Sequence, residues 1–242
     1  MILSFIEKCG LDFIGSLASG SDGVMDIGRS FTYMFEDQDW IKKILIGGVI
    51  SLIPIVNFAT FGYFIEALKN TAEGRELPLP EWGDDFGGKF MKGLMAAIAS
   101  FLYMLPIMIV VGIVFGLTAA IAGSLDSDAA ETVSVICPLI GNCLLFVYMI
   151  LVMLILPAAV IRYALTGQFG AFFRFGDIMA LIKANIGGYI IALLVALVAS
   201  LIAQIVGSIA CGIGILFTLI WAYLVSANLF GNLVREAQPA AY

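Results

Sequence analysis

Histidine is missing from the chain altogether, and charged side chains are scarce: they make up 12% of 242 residues, against 62% that are hydrophobic. With no imidazole, the sequence lacks the commonest metal ligand, the commonest general base and the usual axial ligand of haem. Soluble domains carry roughly 25% charged residues, so water is not the main solvent of this fold. Basic residues are fewer still, 12 Lys and Arg against 18 Asp and Glu for a net charge of −6. None of them cluster to meet a phosphate backbone, and nucleic acid is not an expected partner. The four cysteines, Cys9, Cys137, Cys143 and Cys211, form no C-x-x-C pair. Three of them lie in apolar runs, where a thiol behaves as a small hydrophobe, so no metal or cofactor site is expected. Glu7, Lys8 and Asp12 interrupt the apolar N-terminus before it reaches the length of a signal-peptide core, and no cleaved leader is expected.

What the chain has instead is long stretches free of Asp, Glu, Lys and Arg: 44 to 65, 93 to 125, 132 to 161 and 184 to 234. A helix needs about 20 apolar residues to cross the hydrocarbon of a bilayer, so the second and third stretches each predict one long or tilted span. The fourth is long enough to cross twice, folding back at the glycine-rich GSIACGIG, Gly207 to Gly214. The first carries Pro54 and Asn57 at its centre, in LIPIVNFATFG, and reads as a re-entrant hairpin or as a kinked full span. Charge asymmetry favours the hairpin, because only then do all Lys and Arg fall on one side, facing Asp126, Asp128 and Glu131 across the membrane. The fold class is therefore all-α: a polytopic membrane bundle of four full spans plus a Pro-broken re-entrant hairpin, with five spans as the alternative.

Ahead of the bundle, residues 1 to 18 and then Val24, Ile27, Phe31, Met34 and Phe35 repeat at helical spacing with charges between, which predicts amphipathic interfacial helices. The organisation is an N-terminal interfacial segment over 1–40, a membrane helical domain over 41–235 and a short tail over 236–242. Positive-inside bias places both termini in the cytoplasm of a multi-pass cell-membrane protein. A faint internal repeat aligns residues 30 to 50 with 171 to 191, matching Phe31 with Phe172, Lys42 with Lys183 and Gly47 with Gly188.

Four strings appear in a familiar order: FGYFIEAL at 61 to 68, LPLPEW at 77 to 82, LYMLP at 102 to 106 and PAAVIRYALTGQFGAFFRFGDI from Pro157 to Ile178. Together they resemble an uncharacterised prokaryotic membrane family, the domain of unknown function (DUF) 4013 family, over roughly residues 30 to 235. The resemblance implies a multi-span helical domain and brings no catalytic residue with it.

Several side chains stand out against the apolar background. Asn57 is expected either to line a polar cavity or to bond the carbonyls that Pro54 leaves free. Glu66 reads as a carboxylate at the membrane edge, engaged in cation or proton chemistry or, more simply, in a solvated pair with Lys69. Asn142 and Gln204, with Thr218 and Asn228, mark either a solute path or hydrogen bonds between helices. Gly112, Gly116 and Ala120 form a small-residue ladder expected to pack helices together, within the molecule or between subunits. Arg162 and Arg174 are placed to meet lipid headgroups. Glu81, Asp84 and Asp85 read as a solvated loop, and Trp221 as a tryptophan packed inside the bundle.

No nucleophile, base and orienting group occur together, so an enzyme is not expected. The expected role is a non-catalytic accessory, scaffold or lipid-contacting component. Its partners would be membrane lipids and, in an accessory role, other membrane subunits or a second copy of itself. The alternative is a small-solute or ion transporter or channel, to which the broken first stretch and the repeat point.

Overall fold

The structure is a computed structural model describing residues 27–76, 78–209 and 212–237. The expected surface helix over 1 to 18, Cys9, Cys211 and most of the C-terminal tail lie outside the described residues. The described residues contain helices and no strand. In order they are α1 (Ile27–Thr32), a 3-10 turn (Tyr33–Glu36), α2 (Trp40–Leu52), α3 (Phe58–Ala72), α4 (Phe86–Ala122), α5 (Ser127–Thr166), a second 3-10 turn (Phe169–Phe173), α6 (Phe175–Ala184), α7 (Ile186–Ile209) and α8 (Gly214–Ala237).

Four helices, α4, α5, α7 and α8, are long and apolar enough to cross a membrane. The first charge-free stretch is not a fifth crossing. Its two helices, of 13 and 15 residues, reach only ~20 Å and ~22 Å at about 1.5 Å per residue, short of the ~30 Å hydrocarbon core. They also return to the same end. Near the start of α2, Lys43 donates to the carbonyl of Leu79 at 3.3 Å, and Trp82, in the loop after α3, donates its indole N–H to the Lys43 carbonyl at 2.8 Å. Chain chemistry dictates the reversal between them. Ile53 precedes Pro54 and takes the extended conformation that a following proline imposes (φ −93°, ψ 111°), which ends α2. Ile55 then turns with φ 75°, a left-handed conformation that a β-branched residue rarely adopts.

Helices approach closely where side chains are smallest. Gly62 of α3 lies against α4 so tightly that a Cβ would fall 1.7 Å from the Lys89 carbonyl oxygen, and Gly93 of α4 meets the Phe58 carbonyl in the same way. Such contact between backbones is what small residues permit in lipid, where apolar burial no longer drives helices together. Between α7 and α8, Gly212 makes the reversal with φ 82°, where the GSIACGIG segment was expected to turn.

Amphipathic α1 and the turn after it dock on the bundle rather than standing apart from it. Ser30, Tyr33 and Met34 are buried, with Ser30 donating to Asn228 at 2.9 Å and the Tyr33 hydroxyl to the Leu224 carbonyl at 3.0 Å. The aligned repeat does not carry through to matching structure. Asn185 breaks the second copy between α6 and α7, whereas its counterpart Ile44 sits inside α2.

Candidate functional site

Charged residues gather at one end of the bundle and bind one another there. Lys43, 5% exposed, bonds the Asp37 carboxylate at 2.7 Å and the Glu81 carboxylate at 2.6 Å. Burial by itself would lower the Lys43 pKa, but the two bonded carboxylates outweigh it and hold the ammonium above the ordinary lysine value. Beside this cluster, Tyr63 stacks on Trp82 with ring centroids 4.3 Å apart, while its buried hydroxyl has no hydrogen-bond partner among the described residues. Glu66 belongs to the same end and corrects the expectation of a pair with Lys69: it meets Lys92 at 3.0 Å and Lys89 at 3.6 Å, both from α4. Lys69 instead pairs with Glu73 at 3.7 Å, one helical turn further along. Lys89 is fully buried and donates to the carbonyl of Asp84. The loop read as solvated is thus partly structural, since Glu81 holds Lys43 and Asp85 caps α4 by accepting from Gly88 N–H at 3.0 Å.

Away from this end, beneath the re-entrant turn, lies a cleft of ≈ 350 Å³ between α2, α3, α4 and α8. Four neutral polar residues, Ser51, Asn57, Thr60 and Ser100, line it together with aromatic and aliphatic walls from Phe58, Phe61, Leu219 and Tyr223. Among the described residues, no Asp, Glu, Lys or Arg takes part in the lining. Ser51 and Thr60 share a hydrogen bond at 3.1 Å, and Ser51 and Ser100 also reach the carbonyls four residues back, Gly47 at 2.9 Å and Ala96 at 2.8 Å. Asn57 stands at the N-terminus of α3, exposed, without a capping bond and without a side-chain partner among the described residues. Of its two expected roles, bonding the carbonyls freed by Pro54 is therefore not what it does.

The other singled-out residues do not converge on this cleft. Asn142 bonds the Pro138 carbonyl at 2.8 Å and Gln204 the Ser200 carbonyl at 3.4 Å, each on its own helix and exposed, so neither joins two helices nor lines a shared path. Thr218 does link helices, donating to the Ala203 carbonyl at 2.6 Å, and Asn228 accepts from both Ser30 and Asn232. Gly112, Gly116 and Ala120 are exposed, and a Cβ on either glycine would meet nothing within 4 Å, so they pack against no helix among the described residues. The reason is rotation: α5 still packs on α4 at this level, where a Cβ on Gly141 would lie 3.2 Å from Val114, and the ladder lies on another face of α4. Arg162 pairs with Asp177 at 2.9 Å and lines a second cleft of ≈ 220 Å³ with Leu181, Asn185 and Leu233, while Arg174 donates to Gln168 at 3.1 Å. Trp221 packs against Phe31, 5.7 Å between centroids.

Sequence reasoning missed Ser51, Thr60 and Ser100 because hydroxyls of this kind satisfy themselves on their own helices throughout apolar spans. Only the folding back of α2 on α3, with α4 packed against them, brings them together with Asn57. The missed Tyr63 and Trp82 pair carried a signal, two aromatics close to charged residues at the membrane edge, but their stacking needs the hairpin.

Four crossing helices, one hairpin that enters and leaves at the same end, and an uncharged cleft beneath its turn define a polytopic α-helical membrane protein. The chain belongs to the family described as "Protein of unknown function (DUF4013)", whose pattern matches residues 46–212. No curated protein and no solved structure matches it.

Proposed function

We propose that the protein is a non-catalytic, lipid-contacting component of the cell membrane, an accessory or scaffold with both termini in the cytoplasm. The observation that carries this reading is the outward face of the α4 and α5 hairpin. These helices have 37 and 40 residues, ~55 Å and ~60 Å at about 1.5 Å per residue, and both outlast the ~30 Å hydrocarbon core. Ile109, Ile113, Leu117, Leu139 and Phe146 are exposed along them, a surface suited to acyl chains or to another membrane protein. At the opposite end, Lys43, Lys89 and Lys92 are bound to the carboxylates of Asp37, Glu81 and Glu66.

Native mass spectrometry of the full chain, released from membranes in mild detergent, tests the proposal. Retained lipids or a partner at fixed stoichiometry are the expected result. A specific solute flux in proteoliposomes would replace it with the second reading, small-solute or ion transport. That reading draws its support from the cleft, because re-entrant hairpins with neutral polar linings occur in transport folds.

A further inference from the structure

Depth is the property of the cleft that an accessory role leaves unused. Ser51 and Ser100 lie ~12 Å along their helices from Lys43 and Lys92, at about 1.5 Å per residue, which puts them near the middle of a ~30 Å core. Asn57 opens onto the protein surface at that depth, flanked by exposed Leu52, Ile53 and Ile55. An amide facing hydrocarbon with no partner costs on the order of several kcal/mol, so a group that bonds it is strongly favoured there. Three hydroxyl oxygens beside it, Ser51, Thr60 and Ser100, keep lone pairs free beyond the hydrogen bonds described above. Phe58, Phe61, Leu219 and Tyr223 complete an apolar wall around them.

We propose that this cleft binds the uncharged, hydroxyl- or carbonyl-bearing end of a membrane lipid that enters sideways from the bilayer. The charge of the ligand follows from the lining. A phosphate or ammonium would be buried in low dielectric with no counter-ion, whereas a hydroxyl finds both a donor and an acceptor on the Asn57 amide, and an ester carbonyl finds the donor. The size agrees, ≈ 350 Å³ being near the lower bound of about 300 Å³ for small-molecule sites. An aqueous neutral solute offers the same hydrogen-bonding chemistry, but it would have to reach the site from water past the ion-paired end. The exposed side chains around Asn57 open toward lipid. The proposal rests on the lipid-contacting reading only in taking its ligand from the bilayer.

The test uses the full chain in liposomes of phosphatidylethanolamine and phosphatidylglycerol, doped with a diazirine-bearing diacylglycerol or with phosphatidylglycerol bearing the same acyl diazirine. After illumination, labelling is mapped by peptide mass spectrometry. The neutral probe should label residues 51 to 61 about fivefold over the anionic one, the weight of one neutral hydrogen bond. Asn57→Leu should bring the two to parity, with Asn57→Ala as the second variant should the first fail to fold. Equal labelling of the native chain by both probes, or a preference that survives both substitutions, would overturn the proposal. So would modification of Asn57→Cys by a membrane-impermeant thiol reagent in a chain whose own cysteines are replaced, because that outcome means a water-filled site. Solute flux measured separately reports on the lipid-contacting reading itself, so the two failures stay distinct.

Discussion

Tyr189 on α7 sets its hydroxyl into the backbone of α5 at Pro157, accepting from the Ala158 N–H at 3.1 Å and donating to the Leu154 carbonyl at 2.7 Å. A proline inside a helix removes one rung of the ladder and pushes its ring against the preceding turn, and in lipid no water repairs the damage. Here a neighbouring helix does so. Because Tyr189 is fully buried, the bridge also fixes how α7 packs on α5. Tyr189→Phe is expected to destabilise the protein by about 1 to 2 kcal/mol, the cost of leaving a buried donor or acceptor unsatisfied. In Pro157→Ala, α5 closes its own ladder, and the same change should cost less. A double-mutant cycle in detergent unfolding reads the difference, about 1 kcal/mol of coupling. Strictly additive losses would show that the hydroxyl and the proline act independently.

The glycines divide into those that touch a neighbour and those that touch nothing, and substitution should sort them the same way. Gly62→Ala forces a methyl group into the backbone of α4 and is expected to lose about 3 kcal/mol, at the upper end of overpacking, because the atom it meets cannot rotate away. Gly112→Ala adds a methyl group in open space on a helix and is expected to gain about 0.5 to 1 kcal/mol from the stiffer residue. Thermal unfolding of both variants in one detergent checks the contrast. A large loss at Gly112 would place a second helix, from another subunit, on that face.

Much of the architecture is legible in the sequence, since it follows from spacing and charge alone. Charge-free runs long enough to cross predicted α4, α5, α7 and α8, and the glycines near 212 marked the turn between the last two. The hairpin was legible because Pro54 acts locally, through its own missing N–H and the conformation it forces on Ile53. The site was less legible. Asn57 stood out as an amide among apolar residues, but which helix faces Ser100, or that Glu66 meets Lys89 and Lys92 instead of Lys69, depends on how helices rotate against one another. In lipid that rotation is set by the small-residue contacts at Gly62 and Gly93, which apolar periodicity does not encode. The ladder at Gly112 shows the converse: its spacing was right for packing, and the rotation of α4, which turns Val114 and not the ladder toward Gly141 of α5, leaves it bare.

Lys43 carries the next expectation. Its pKa is raised above the ordinary 10.5, so the stability it supplies is complete below that value and is lost as pH climbs through the higher folded-state value. Unfolding profiles should therefore be flat toward neutral pH and fall on the alkaline side, with part of the fall absent in Lys43→Met. Buried Tyr33, also raised by desolvation, loses stability in the same direction and accounts for part of what remains. At neutral pH, Lys43→Met should cost about 3 kcal/mol, because Asp37, with its side chain 10% exposed, is left without its cation. Adding Asp37→Asn should restore part of that loss. If the double variant is no better than the single one, the damage comes from lost packing of the lysine stem and not from a stranded carboxylate.

The re-entrant hairpin makes a prediction about sidedness that a fifth crossing would reverse. With α2 and α3 entering and leaving at one end, the loop holding Glu76 shares a side with Arg235 at the end of α8, and Asp128 at the start of α5 lies across the membrane. A contact already ties the first two together, since the Arg235 side chain comes within 3.8 Å of the position a Cβ would take on Gly74. Reporter fusions after Glu76 and after Arg235 should both read cytoplasmic, as the Lys and Arg gathered at that end require. A fusion after Asp128, among acidic residues only, should read extracytoplasmic. Opposite signals from Glu76 and Arg235 would mean that Pro54 kinks a span instead of turning the chain, and the cleft beneath it would then no longer be closed by two arms of one hairpin.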